Sequence, residues 1–151
     1  MDILTVLKKL GELEKALESA YAWTAEQCAA DEAAAALFRR IAEEEGQHLE
    51  LIRYQERVVR KSPKEFGGVE IDLPAVDRTL AKIDAFRTGT PSVRDAIRFA
   101  LDIETEVSEH YAGSIMQQSN PNFAEIVKGL AANASQDHYR QLLEFAKDYP
   151  A

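Results

Sequence analysis

The stretch Leu37-Phe38-Arg39-Arg40-Ile41-Ala42-Glu43-Glu44-Glu45-Gly46-Gln47-His48 carries a helical period and, on the same face, a carboxylate and an imidazole. At about 100° per residue, Phe38, Ile41, Ala42, His48, Leu49 and Ile52 fall within roughly 60° of Glu45. Glu45 and His48 therefore point where the core points, and their spacing of three lets both reach one ion. An unpaired carboxylate in an apolar interior is costly, so partners must converge on it from elsewhere in the chain.

Outward from this stretch, the helical pattern runs on to about Lys61, where Ser62-Pro63 stops it. Before it, Leu7, Leu10, Leu17, Tyr21 and Ala25 form one stripe of a helix from about Asp2 to Ala29, and Asp31 is the expected turn residue and cap. Residues 63–91 change character. Lys64-Glu65-Phe66-Gly67-Gly68 reads as loop, and Pro74 to about Phe86 as a short helix. Thr90 is expected to cap a third long helix, with Pro91 in its first turn, ending near Gln118. Asn120-Pro121 opens a fourth that continues to about Asp148. No segment alternates with period two. Short, long and short connections predict one all-α domain over residues 1–151: two helical hairpins joined by a long crossover, a four-helix bundle.

Matching the chain against itself at an offset of 90 pairs Glu14 with Glu104, Tyr21 with Tyr111 and His48 with His138. Leu13 likewise matches Ile103, and Ile52 matches Leu142. Of three histidines, two obey this spacing. Glu14 interrupts the apolar stripe of the first helix, and Glu104 sits among Ile97, Ala100, Leu101, Ile115 and their neighbours on the third. Around His138 the same arc holds Ala134, Ser135, Gln141, Leu142 and Phe145. Glu14, Glu45, His48, Glu104 and His138 are therefore the candidate metal ligands. With 17 glutamates in the chain, a lone Glu-x-x-His is a weak signal, and buried pairing with Arg39, Arg40 or Arg98 is the competing reading. The conjunction on several stripes favours a cation. Glu12, Glu43, Glu44, Glu106 and Glu109 read as solvated faces, and His110 as surface.

The net charge of −8, without clustered Lys and Arg, excludes a basic footprint for nucleic acid or anionic lipid. One cysteine, Cys28, cannot build a disulfide framework or a four-thiolate iron centre. No run approaches the roughly 18 apolar residues of a membrane span. Met1 to Thr5 show no basic region leading into an apolar stretch, so a cytoplasmic protein is expected.

Glu14, then Tyr21 seven residues on, then Glu45-Gly46-Gln47-His48, followed by Glu104 and Tyr111, resembles the rubrerythrin-like branch of the ferritin-like superfamily over nearly the whole chain. The resemblance implies a ferritin-like four-helix bundle with a non-haem di-iron site, manganese or zinc being alternatives. It implies that Glu45 bridges, that Glu14 and His48 hold one ion, and that Glu104 and His138 hold the other. Ser135 stands where the family has a second bridging glutamate, and the rubredoxin-like domain is missing. The resemblance further implies peroxide reduction or Fe(II) oxidation with O2, a separate electron donor, and assembly as a homodimer. Tyr21 and Tyr111 would serve as hydrogen-bonding or electron-passing residues; the competing reading makes them packing residues with one hydroxyl partner each. Two other classes fit the same residues: a non-catalytic metal binder that handles iron, zinc or manganese, and a degenerate bundle that works in protein assembly.

Overall fold

The computed structural model describes residues 1–106, 115–116, 118–122 and 138–149. Helices account for the regular structure, with no strand among the described residues. They are α1 (Ile3–Gln27), α2 (Glu32–Lys61), α3 (Leu73–Phe86), α4 (Val93–Glu104) and α5 (His138–Ala146), with a 3₁₀ turn at Pro63–Glu65.

The first two helices form an antiparallel hairpin, since only four residues separate them. Asp31 caps α2, its carboxylate accepting from the Ala34 N–H at 3.1 Å, as the sequence implies. Leu7, Leu10, Leu13, Leu17 and Tyr21 of α1 are fully buried, as are Phe38, Ile41 and Ile52 of α2. The opposing side of the core comes from Ile97, Ala100 and Ile103 of α4 and Leu142 of α5. Cys28 is buried among these groups, and burial pushes its thiol up, away from the reactive thiolate.

The connection after α2 crosses one end of the molecule and is pinned by backbone. Val69 N–H donates to Met1 O at 2.9 Å, and Gly67 N–H donates to Ser119 O at 3.0 Å. Ser119 Oγ returns a bond to Gly67 O at 2.7 Å. At Gly68 a Cβ would stand 3.2 Å from Met1 O, a tight contact that any larger residue would relieve only by shifting Met1 by a few tenths of an ångström. The expected short helix is present as α3, capped by Asp72 with Pro74 in its first turn.

Two boundaries differ from the sequence reading. Thr90 does not cap α4. Ser92 does, in a reciprocal box in which Ser92 Oγ accepts from Asp95 N–H and Asp95 accepts from Ser92 N–H. The helix expected to run unbroken to near Gln118 is interrupted: α4 ends at Glu104, while Ile115, Met116, Gln118 and Ser119 are helical and Asn120 is not. At the end of α4 the backbone tightens to i→i−3 bonds, with Thr105 N–H on Asp102 O and Glu106 N–H on Ile103 O. The Thr105 hydroxyl also donates to Asp102 O at 2.7 Å, competing with helix continuation. Lys82 of α3 holds Asp102 and Glu106 from outside. Pro121 and Asn122 are helical, consistent with a helix opening at Asn120-Pro121. No helix among the described residues is long and apolar enough to cross a membrane.

Candidate metal centre

Three helices supply carboxylates to one interior point because each has an apolar stripe interrupted there. Glu14 follows Leu10 and Leu13 and precedes Leu17, all buried, and is itself 4% exposed. Glu45 lies between Ile41 and Leu49 on the buried face of α2 and is fully buried. Glu104 is the last residue of α4, with a side chain 9% exposed. A carboxylate at a helix C-terminus faces the negative end of the helix dipole, which adds to the cost of its burial.

Two histidines meet these acids. His48 Nδ1 lies 3.4 Å from Glu45 Oε2 and 3.7 Å from Glu14 Oε2. His138 Nδ1, from α5, lies 3.0 Å from Glu45 Oε1 and 3.4 Å from Glu104 Oε1. The imidazoles stack, with ring centroids 5.6 Å apart and planes inclined by 26°. The donors fall into two groups, Glu14–Glu45–His48 and Glu45–Glu104–His138, and within each group one atom per residue lies within 4.8 Å of the others. Glu45 belongs to both, one oxygen turned to each histidine.

The other nitrogen of His138 is also engaged. Its Nε2 lies 2.5 Å from Glu44 Oε2, a contact that fixes the ring so that Nδ1 faces Glu45 and Glu104; on loss of the Nδ1 proton the same orientation would present a lone pair to a cation. This corrects the reading of Glu44 as a solvated glutamate: its side chain is 28% exposed and braces an imidazole. The signal was invisible along α2, because the partner lies 94 residues away. Tyr21, fully buried and stacked on Phe38, donates its hydroxyl to Glu104 Oε1 at 3.2 Å. Tyr111, His110, Glu109 and Ser135 lie outside the described residues. Arg39, Arg40 and Arg98 are exposed and do not pair with the buried acids among the described residues, so arginine is not their compensation.

Glu14 Oε2 and both Glu45 oxygens have no well-formed hydrogen bond in this arrangement, and their nearest cationic partners are the imidazole nitrogens within ion-pair distance. The titration behaviour shows how protons take up the imbalance. Burial, reinforced by the charge on Glu45, raises Glu14 well above the ordinary carboxylate range. Burial alone would raise Glu45 too, but hydrogen bonding with Glu14, His138 and His48 outweighs it and holds Glu45 below that range. Burial disfavours the His138 cation, yet Glu104 and Glu45 prevail and push it up to about 10. Extra positive charge is thus required at this point, whether as protons or as a cation.

Glutamate oxygens and imidazole nitrogens suit borderline divalent ions such as iron, manganese and zinc. Each group offers three protein donors, leaving coordination positions for water or a small substrate. No protein-family model, curated protein or solved structure matches the chain.

Proposed function

We propose that this chain is a ferritin-like, rubrerythrin-like four-helix bundle that holds two metal ions, iron foremost, and uses them in peroxide reduction or in Fe(II) oxidation by O2. The observation that carries the reading is Glu45, one buried carboxylate common to two separate three-donor groups. In this reading Glu14 and His48 hold one ion, Glu104 and His138 the other, and Glu45 bridges them. Iron held by these residues would supply the electrons that peroxide or O2 takes up. The chain's own part is to fix the donors, to keep the interior dry, and to hold Glu104 through Tyr21. Electrons for repeated turnover come from a separate donor, since one thiol cannot build an iron–sulfur centre. Assembly as a homodimer belongs to the same reading.

A second reading is favoured by Ser135. A neutral hydroxyl at the position matching Glu45 leaves one bridging carboxylate where the resemblance expects two, so cation repulsion is less well offset. A protein that stores or transfers metal without turnover tolerates that loss better than a redox enzyme does.

Anaerobic loading with Fe²⁺, followed by counting iron per chain, tests both readings. The redox reading expects two ions, rapid loss of Fe²⁺ on mixing with H2O2 or air, and one H2O2 consumed for every two Fe²⁺ oxidised. One tightly held ion without turnover supports the binder, and an iron-free chain removes both. Glu14→Gln should lose one ion, whereas Glu45→Gln should lose both. Ser135→Glu should raise the affinity of the more weakly held ion; equal loss in the two Gln variants would remove the shared role of Glu45.

A further inference from the structure

Beside the first group of buried donors, α1 carries a further carboxylate that is partly open to solvent. Glu18 lies one turn beyond Glu14 on α1, rotated from it by about 40°. It is the half-exposed member of the pair: its side chain is 31% exposed against 5% for Glu14. Glu18 Oε1 pairs with the exposed Lys15 Nζ at 3.2 Å. Its other oxygen turns inward and rests over Gly46, where a Cβ would stand 3.3 Å from Oε2 and 3.7 Å from Cδ.

Gly46 is the residue next to Glu45, inside a 30-residue helix. Glycine is a poor choice for a helix interior, and no turn or positive φ requires it here. What it does is leave space into which the Glu18 carboxylate leans. One turn further along both helices lies a cleft of about 480 Å³. Ala22, Ala25 and Ala42 line it together with Glu26, Glu43 and Arg39. The cleft thus lies one helical turn from Glu18 on α1 and from Gly46 on α2, and Glu18 lies one turn from Glu14, whose group of buried acids calls for positive charge.

Resting on the metal-holding reading above, we infer that Glu18 is a transit carboxylate. It takes an arriving divalent cation from the α1–α2 cleft and passes it, through the gap left by Gly46, to Glu14, Glu45 and His48. In doing so it exchanges Lys15 for the cation, and it returns to Lys15 once the ion has moved inward. A transit group lowers the barrier in both directions. It alters the rates of gain and loss together and leaves the equilibrium untouched, unlike a resident ligand.

Co²⁺ is the probe, its visible absorption reporting occupancy in the metal-free full chain by stopped flow, with release followed after excess chelator. Glu18→Gln removes the charge, and Gly46→Ala closes the gap while keeping the charge. Both should slow uptake and release in parallel by roughly tenfold, as expected for a lost electrostatic guide. Co²⁺ per chain and equilibrium affinity should match the unsubstituted protein. Glu70→Gln, an exposed position on the α2–α3 connection, should change neither rate. Circular dichroism checks that Gly46→Ala folds, and Glu18→Gln decides the matter if it does not. Unchanged rates in Glu18→Gln overturn the transit role, as does faster release with weaker binding, which marks a resident ligand. Either result leaves the Co²⁺ stoichiometry, and with it the metal-holding reading, intact. A chain that takes up no Co²⁺ at all overturns both.

Discussion

Glu44 and Glu45 are neighbours in sequence with opposite roles, and the difference is one of phase. Glu45 points into the core and offers an oxygen to each histidine. Glu44, about 100° away, reaches the far nitrogen of His138 at 2.5 Å. An imidazole ligand is oriented by the partner of its other nitrogen, and losing such a partner typically weakens metal binding 10- to 100-fold. Glu44→Gln should accordingly weaken the ion held by Glu104 and His138 by about tenfold and spare the one held by Glu14 and His48. Glu43→Gln, exposed on the same helix, should change neither. Calorimetric titration with Zn²⁺ resolves two affinities, and an equal weakening of both would remove the orienting role of Glu44. The five candidate ligands were legible from helical phase, because a buried acid leaves its mark on the stripe it interrupts. Glu44 was not, because its partner arrives through tertiary structure and a helical projection contains no information about another helix. The same holds for the Tyr21–Glu104 bond, which joins residues 83 apart.

At the scale of elements, the end of α5 is tied back to the α1–α2 turn through one side-chain pair. Tyr149, stacked on Phe145, donates its hydroxyl to Asp31, which also caps α2. The bond from Tyr149, with help from the Ala34 N–H, holds Asp31 below its ordinary range, while Asp31 pushes Tyr149 up to about 12. Asp31 therefore contributes stability above its unfolded value of 3.8, lost as pH falls through the lower folded value. Tyr149 contributes below its unfolded value of 10.0, lost as pH rises toward about 12. Asp31→Asn keeps a cap acceptor but removes the charge, so Tyr149 should titrate back toward the ordinary tyrosine range with helix content preserved. Ultraviolet titration of the five tyrosines reads this directly, and a curve identical to that of the unsubstituted chain would show that the tie is absent. Capping by Asp31 and the short helix before Phe86 were readable because local chemistry decides them. The end of α4 was not. Apolar residues continue past Glu104, but Thr105 satisfies its hydroxyl on Asp102 O, and Lys82 of α3 grips the same turn. Thr90 and Ser92 are both acceptable caps in sequence, and the reciprocal bond with Asp95 selects Ser92.

For the molecule as a whole, the buried acids and imidazoles set a balance between protons and cations. Glu14 and His138 both titrate above their unfolded values, so their contributions are complete at low pH and are lost as pH rises, for His138 between 6.5 and about 10. Glu45 is depressed, and its contribution is present above 4.5 and lost in acid. The metal-free chain should therefore lose stability from neutral to alkaline pH as the site surrenders the protons that offset its acids. A bound divalent cation replaces those protons, and its affinity rises with pH because the ligands must be deprotonated to bind it. Melting curves in chelator at about pH 6 and about pH 9 should show a lower Tm at the higher pH. The same pair of curves with Zn²⁺ in excess should show the decline reduced or reversed, so that the gap between loaded and metal-free protein widens with pH. A gap of constant size would mean that the ion sits elsewhere on this acidic surface. In that case the convergence of Glu14, Glu45 and Glu104 would be held together by protons alone.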